Sequence, residues 1–167
     1  MWTTPRTWVT SELVSASLLN THLRDDMKAV ETIDYVEITS NVSVTATTEG
    51  TANTVITGTS QAYAAEKMWV EFWCPEASPG GSNQNVTMVL LEGSTVSGQW
   101  QAARSPSAAS YENNAVFMRR LITPSAATFS WVVKAFINSG TGTIYAGAGG
   151  SGAFLPAYLA VTRASKA

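Results

Sequence analysis

Lys67-Met68-Trp69-Val70-Glu71-Phe72-Trp73-Cys74 changes character at every second residue. Successive side chains of an extended strand point to opposite faces, so Met68, Val70, Phe72 and Cys74 share one face and Trp69, Glu71 and Trp73 the other. A period of two in this run sets the class of the whole region around it. Pro75 is expected to stop the strand, and Ser78-Pro79-Gly80-Gly81-Ser82-Asn83 reads as the loop that follows.

The same alternation extends in both directions. Upstream it begins at about Tyr35, with Val36, Ile38, Val42, Val44 and Ala46 interleaved with polar residues, followed by a short strand at Thr54–Thr57. Downstream, Val86 to Leu91 is apolar on both faces and is therefore expected to be a central strand. Ser97 to Ala103, Ala115 to Ile122, Thr128 to Ile137, Thr143 to Ala146 and Ala157 to Thr162 continue the series. Short strands separated by turn signals, with no further helical pattern, predict a mainly β protein: an antiparallel β-sandwich or jelly roll over residues 35–167.

The first part of the chain has a different period. Pro5 keeps Thr4 out of helical geometry, so residues 1–10 read as an extended arm bearing Trp2, Pro5, Arg6 and Trp8. Over residues 11–34 the apolar positions Ala16, Leu19, Leu23, Met27 and Val30 recur at three- and four-residue intervals, as on one face of an amphipathic helix that Ser11 or Ser15 can cap. Arg24, Asp25, Lys28 and Glu31 fall largely on the opposite face. A helix this short does not stand alone in water, so the stripe of Leu19, Leu23, Met27 and Val30 needs an apolar partner: its own β-domain, a sister copy or another protein.

Composition excludes several classes. A net charge of -2 lacks the basic excess of a nucleic-acid binder. No stretch approaches the roughly 20 apolar residues of a membrane span, and the polar start does not read as a secretory signal. With no such signal, Asn41-Val42-Ser43 and Asn85-Val86-Thr87 read as chance glycosylation matches. The single cysteine, Cys74, rules out a disulfide framework and a cysteine zinc site within one chain.

No catalytic constellation emerges. The one histidine, His22, lies in the helical stretch without a recognisable nucleophile motif. Asp25 and Asp26 are adjacent on a helix, so they diverge by about 100° and cannot chelate jointly. The Gly147–Gly152 run lacks the Lys-Ser/Thr and the following helix of a phosphate cradle, and reads as a loop needing positive φ. The acids from residue 38 onward, Glu49, Glu66, Glu71, Glu76, Glu92 and Glu112, show no pairing that would mark a glycosidase. No enzyme, metal or cofactor is expected.

The aromatic residues point to partners instead. Trp69 and Trp73 share the face opposite Met68, Val70 and Phe72, so one set or the other must leave the core. Their row reads as a subunit interface, with a platform for stacking sugar rings as the alternative. Trp2 and Trp8, bracketing Pro5-Arg6, read as anchors for pockets on another protein.

Pro5-Arg6-Thr7-Trp8 followed by Leu19-Asn20-Thr21-His22-Leu23-Arg24-Asp25 resembles the opening of many small virion proteins of tailed bacteriophages. The closing Leu155-Pro156-Ala157-Tyr158-Leu159-Ala160-Val161, after a glycine-rich loop, resembles the last strand of trimeric jelly rolls of the tumour-necrosis-factor and C1q type. These resemblances imply a non-enzymatic virion protein, made in the host cytoplasm and assembled as a homotrimer. Its partners would be copies of itself and a major capsid or tail protein, with neither nucleic acid nor membrane. The compact chain, without shaft repeats, favours a capsid decoration (cement) protein on the outer shell. A minor tail or fibre-tip protein touching a host-surface glycan is the alternative, and a carbohydrate-binding β-sandwich a further one.

Overall fold

The computed structural model describes Ser15 and residues 31–105, 114–150 and 153–164. Twelve strands fill the described part: β1 (Thr32–Ile38), β2 (Val42–Val44), β3 (Asn53–Thr57), β4 (Gln61–Tyr63), β5 (Met68–Ser78), β6 (Gln84–Glu92), β7 (Thr95–Ser105), β8 (Asn114–Ile122), β9 (Ala127–Phe129), β10 (Trp131–Ile137), β11 (Gly142–Tyr145) and β12 (Ala157–Arg163). A single 3-10 turn, Glu49–Thr51, precedes β3. The arm and the helical stretch lie outside the described residues, Ser15 apart. Ile33 and Asp34, placed by the sequence at the end of the helical stretch, instead belong to β1, which starts at Thr32 rather than at Tyr35.

The pairing follows one rule. β6 pairs with β7, β5 with β8, β4 with β9, β3 with β10, β2 with β11 and β1 with β12, all antiparallel. The chain is thus one long hairpin, its tip the two-residue turn Gly93-Ser94 between Glu92 and Thr95. Gly93 has a φ of 60°. Such a positive φ at the first position of a two-residue turn matches the right-handed twist of the strands it joins.

This hairpin rolls into two layers. One contains β8, β5, β12 and β1, with β11 and β2 continuing it beside the far end of β5. The other has the order β3-β10-β6-β7, while β4 and β9 form a separate short pair. As expected for its apolar run, β6 is central, between β10 and β7.

Pro75 does not stop the strand, contrary to the sequence reading: β5 runs on to Ser78. On one edge its partner changes from β12, last paired at Trp73, to β11, first paired at Glu76. On the other edge the register with β8 slips between Cys74 and Ala77. Pro75 falls in both gaps, where no ladder asks it for an N–H.

Alternation along the strands builds the core. Met68, Val70, Phe72 and Cys74 of β5, with Leu159 and Val161 of β12 beside them, pack with Met88 and Leu90 of β6 and Trp131, Val133 and Ala135 of β10, all buried in one cluster. Asp34 is a buried polar exception, its Oδ2 accepting the Thr59 N–H at 2.8 Å and tying β1 to the segment after β3.

Phe72→Ala is expected to cost about 3–5 kcal/mol, the price of a cavity at a fully buried aromatic. Trp69→Ala, on the opposite face of the same strand, should cost well under that. Urea unfolding with unchanged m-values measures both, and equal losses would contradict the assigned faces.

Candidate functional site

The outer face of the β8-β5-β12-β1 layer is aromatic. Residues opposite one another in antiparallel strands share a face. One row across this layer therefore reads Phe117, Trp73, Tyr158, Glu37. The next reads Arg119, Glu71, Ala160, Tyr35, and a third Leu121, Trp69, Thr162.

The rings stack. Trp73 and Tyr158 have centroids 6.1 Å apart at 24° between planes, and Tyr158 and Tyr35 are 5.5 Å apart at 28°. Arg119 lies over Trp69, its Cζ 4.3 Å from the ring centroid, a cation–π contact. Glu71 binds the middle of the face together. Its Oε2 pairs with Arg119 Nε at 3.2 Å, and its Oε1 accepts the Tyr158 hydroxyl at 3.2 Å. The Tyr35 hydroxyl donates to Glu37 Oε1 at 2.6 Å.

Much of this face is open to solvent. Tyr35 is 53%, Phe117 59% and Leu121 42% exposed. At one side lies a cleft of about 430 Å³, lined by Tyr35, Glu37, Trp73, Leu155, Pro156 and Tyr158. Its wall comes from the glycine-rich segment between β11 and β12, whose Phe154 and Leu155 are 66% and 69% exposed.

The two described sides of that segment form an arch tied across its base. At its foot the Ala146 N–H donates to Asn41 Oδ1 at 3.0 Å, and higher up the Gly149 N–H donates to Phe154 O at 3.0 Å. A Cβ on Gly147 would stand 2.0 Å from Leu155 O and 2.1 Å from Phe154 O. Glycine is required because the two sides of the arch touch. The expected positive φ is found at Gly149, at 71°. The side chain of Asn41, within one glycosylation match, holds the arch in place.

Several charged groups of the sandwich are engaged in structure. Glu66 pairs with Arg163 at 3.4 Å, Glu49 accepts from the Gln99 side chain, and Glu92 accepts the Ser125 N–H at 2.7 Å. Among the described residues no three His, Cys, Asp or Glu side chains gather as a metal site would require, and no helix is long and apolar enough to cross a membrane. Burial pushes the Cys74 thiol up to about 12. The hydrogen bond to Glu37, with burial behind it, pushes the Tyr35 phenol up to about 12, and burial, with Asp34 adding to it, does the same for Tyr63.

Of the two faces that alternation separated, the one bearing Trp69 and Trp73 is the outer one, and both are half-buried there. Tyr35, Phe117 and Leu121, which help complete the face, were not singled out by the sequence; Tyr158 was read only as part of the closing strand, and Arg119 only as alternating with Arg120 across a strand without forming a basic patch. The signal was present: Phe117 and Leu121 alternate with Val116 and Met118, and Tyr158 with Leu159. Which strands lie beside β5 was not. Trp2, Pro5, Arg6 and Trp8 of the arm, Leu19, Leu23, Met27 and Val30 of the helical stripe, His22, Asp25, Asp26 and Glu112 lie outside the described residues.

No family model matches the chain, and no curated protein is significantly similar to it in sequence. Solved structures similar to it include the infectious bursal disease virus VP2 subviral particle, at 14% identity and a TM-score of 0.35 over 82% of this chain and 37% of that one. The T=1 particles derived from the same virus give 13% identity and a TM-score of 0.32 over 82% and 36%. This chain thus spans little more than a third of either. Likenesses of this degree do not extend to function.

Two outcomes follow from the raised groups. Cys74 should resist thiol reagents at pH 8 in the folded protein and react only as fast as the domain unfolds; rapid labelling in buffer would contradict its burial. Tyr35 and Tyr63 carry folded values above the ordinary 10.0, so their contribution to stability is complete below pH 10 and is lost as pH rises toward 12. Melting temperature against pH should fall in that window, and less steeply in Tyr35→Phe.

Proposed function

We propose that this chain is a non-enzymatic structural protein of a tailed-phage virion, a capsid decoration protein that assembles as a homotrimer and attaches through its N-terminal arm. The observation that carries this reading is the uncovered aromatic face: Trp69, Trp73, Tyr35, Tyr158, Phe117 and Leu121 on one side of one layer. Aromatics exposed in such density are the composition of an interface core, and their one interior ion pair, Glu71–Arg119, is already matched within the chain. A neutral face of this kind suits sister copies. The rolled hairpin, with strands of its inner and outer pairs shared between two layers, has the path of a jelly roll, which supports the reading.

In this reading the trimer sits on the outer capsid surface while residues 1–10 place Trp2, Arg6 and Trp8 in the shell. The stripe of Leu19, Leu23, Met27 and Val30 packs between copies or against the shell. A sugar-binding platform is the second reading, favoured by the stacked Trp73–Tyr158–Tyr35 row with Glu37 at its rim.

The test is to mix purified protein with particles lacking it and locate the added density by electron microscopy. Three-fold density at capsid lattice positions is expected, and a chain lacking residues 1–9 should fold but fail to bind. Density at the tail alone would make this a tail protein contacting the host surface. Binding to neither, with retention on a glycan array, would replace the virion reading by the sugar-binding one.

A further inference from the structure

We propose that Asp34 and Arg120 guard the two open sides of the sandwich against strand addition. Each latches an edge strand of one layer to the backbone of the other, so that another chain cannot extend the sheets there. This goes beyond the virion reading and stands whether or not that reading holds.

β1 and β8 are edges of one layer, β3 and β7 of the other. β1 lies against β3, and β8 against β7. An edge strand presents unpaired N–H and C=O groups, a template on which a further chain can pair. Alternation asks for apolar side chains opposite the fully buried Val161 and Val70. Asp34 and Arg120 stand there instead.

Each charge crosses to the facing layer. Asp34 Oδ2 accepts the Thr59 N–H just past β3, at 2.8 Å, and Arg120 Nη1 donates to Ser97 O in β7. In both places a glycine clears the way. Gly58 prolongs the β3·β10 pairing through its N–H to Trp131 O at 2.8 Å, and a Cβ on it would stand 2.5 Å from Asp34 Oδ2. A Cβ on Gly98 would run into Arg120 Nη1. A bulge accompanies each latch. The β1·β12 register slips at Ile33, beside Asp34, and the β6·β7 register slips at Ser97, whose carbonyl Arg120 takes. A bulge turns an edge strand out of line with an incoming one.

One such contact would only tie two segments together. Charge, glycine and bulge recur on both open sides, and each part is a means of closing an edge. A strand added along β8 would have to strip Arg120 from Ser97 or cover its guanidinium without a partner, which is unfavourable. Displacing Asp34, only 6% exposed, would leave a buried carboxylate without its donor.

The test uses the full chain. Arg120→Met keeps the stem and removes the donor, whereas Gly98→Ala keeps the charge and displaces it. Both should fold with the near-ultraviolet circular dichroism of the wild type and lose hydrogen-exchange protection along β7 and β8. In sedimentation velocity both should associate beyond the wild-type size, whatever that size is. Adding Val96→Lys, at an exposed position of β7, to Arg120→Met should restore that size by returning a charge to the opened edge. On the other side Asp34→Val should also associate, while Asp34→Asn, still an acceptor for the Thr59 N–H, should keep the wild-type size. Folded variants that never exceed the wild-type size would overturn the guarding role, with or without altered exchange. Association that survives Val96→Lys would place the new contact elsewhere and overturn the edge assignment. If Arg120→Met or Asp34→Val fails to fold, Gly98→Ala carries the test, since its added methyl meets only the end of a flexible side chain.

Discussion

β5 is hydrogen-bonded along both edges, to β8 on one side and to β12 and then β11 on the other, and the rest of the domain is arranged around that double ladder. A strand held on both edges cannot slip its register without breaking two sets of bonds, and a slip of one residue would exchange its faces. The inward row of Met68, Val70, Phe72 and Cys74 therefore stays in the core, and Trp69, Glu71 and Trp73 stay outside. Both the buried cluster and the aromatic face are consequences of one fixed register.

Part of this was legible in the residues. Period-two alternation marked β1, β2 and β5, a run apolar on both faces marked β6 as central, and alternation sorted β5 into two faces without deciding which of them is buried. Pro75 misled, since a proline is a stop signal only where a ladder needs its N–H, and the exchange of partners there is a tertiary fact. The short β4 and β9 also escaped notice: Gln61-Ala62-Tyr63 has too few residues to show a period, and its partner, Ala127–Phe129, read as one strand with β10.

The candidate site was half legible for a similar reason. Trp69 and Trp73 could be placed on one row from local spacing alone. Joining them to Tyr35, Tyr158 and Phe117 needs the pairing of segments far apart in the chain, Phe117 beside Trp73 and Glu37 beside Tyr158 among them, and no local pattern encodes that. Glu71 read as the lone polar group of a tryptophan row. In the fold it is the acceptor that fixes Tyr158 and Arg119 together, so the face is stiffened by the charge that interrupts it.

The pairing of first strand with last sets an order of events during synthesis. The β6·β7 hairpin can form as soon as Ser105 has left the ribosome, whereas β1, β2 and β3 must wait for β12, β11 and β10. Each later pair closes a longer loop, and pairing of such sequence separation is slow. The layer bearing the aromatic rows is completed only when β12 inserts between β1 and β5, at residues 157–163. A nascent chain consequently has no finished aromatic face until residues 157–163 have been made and have paired.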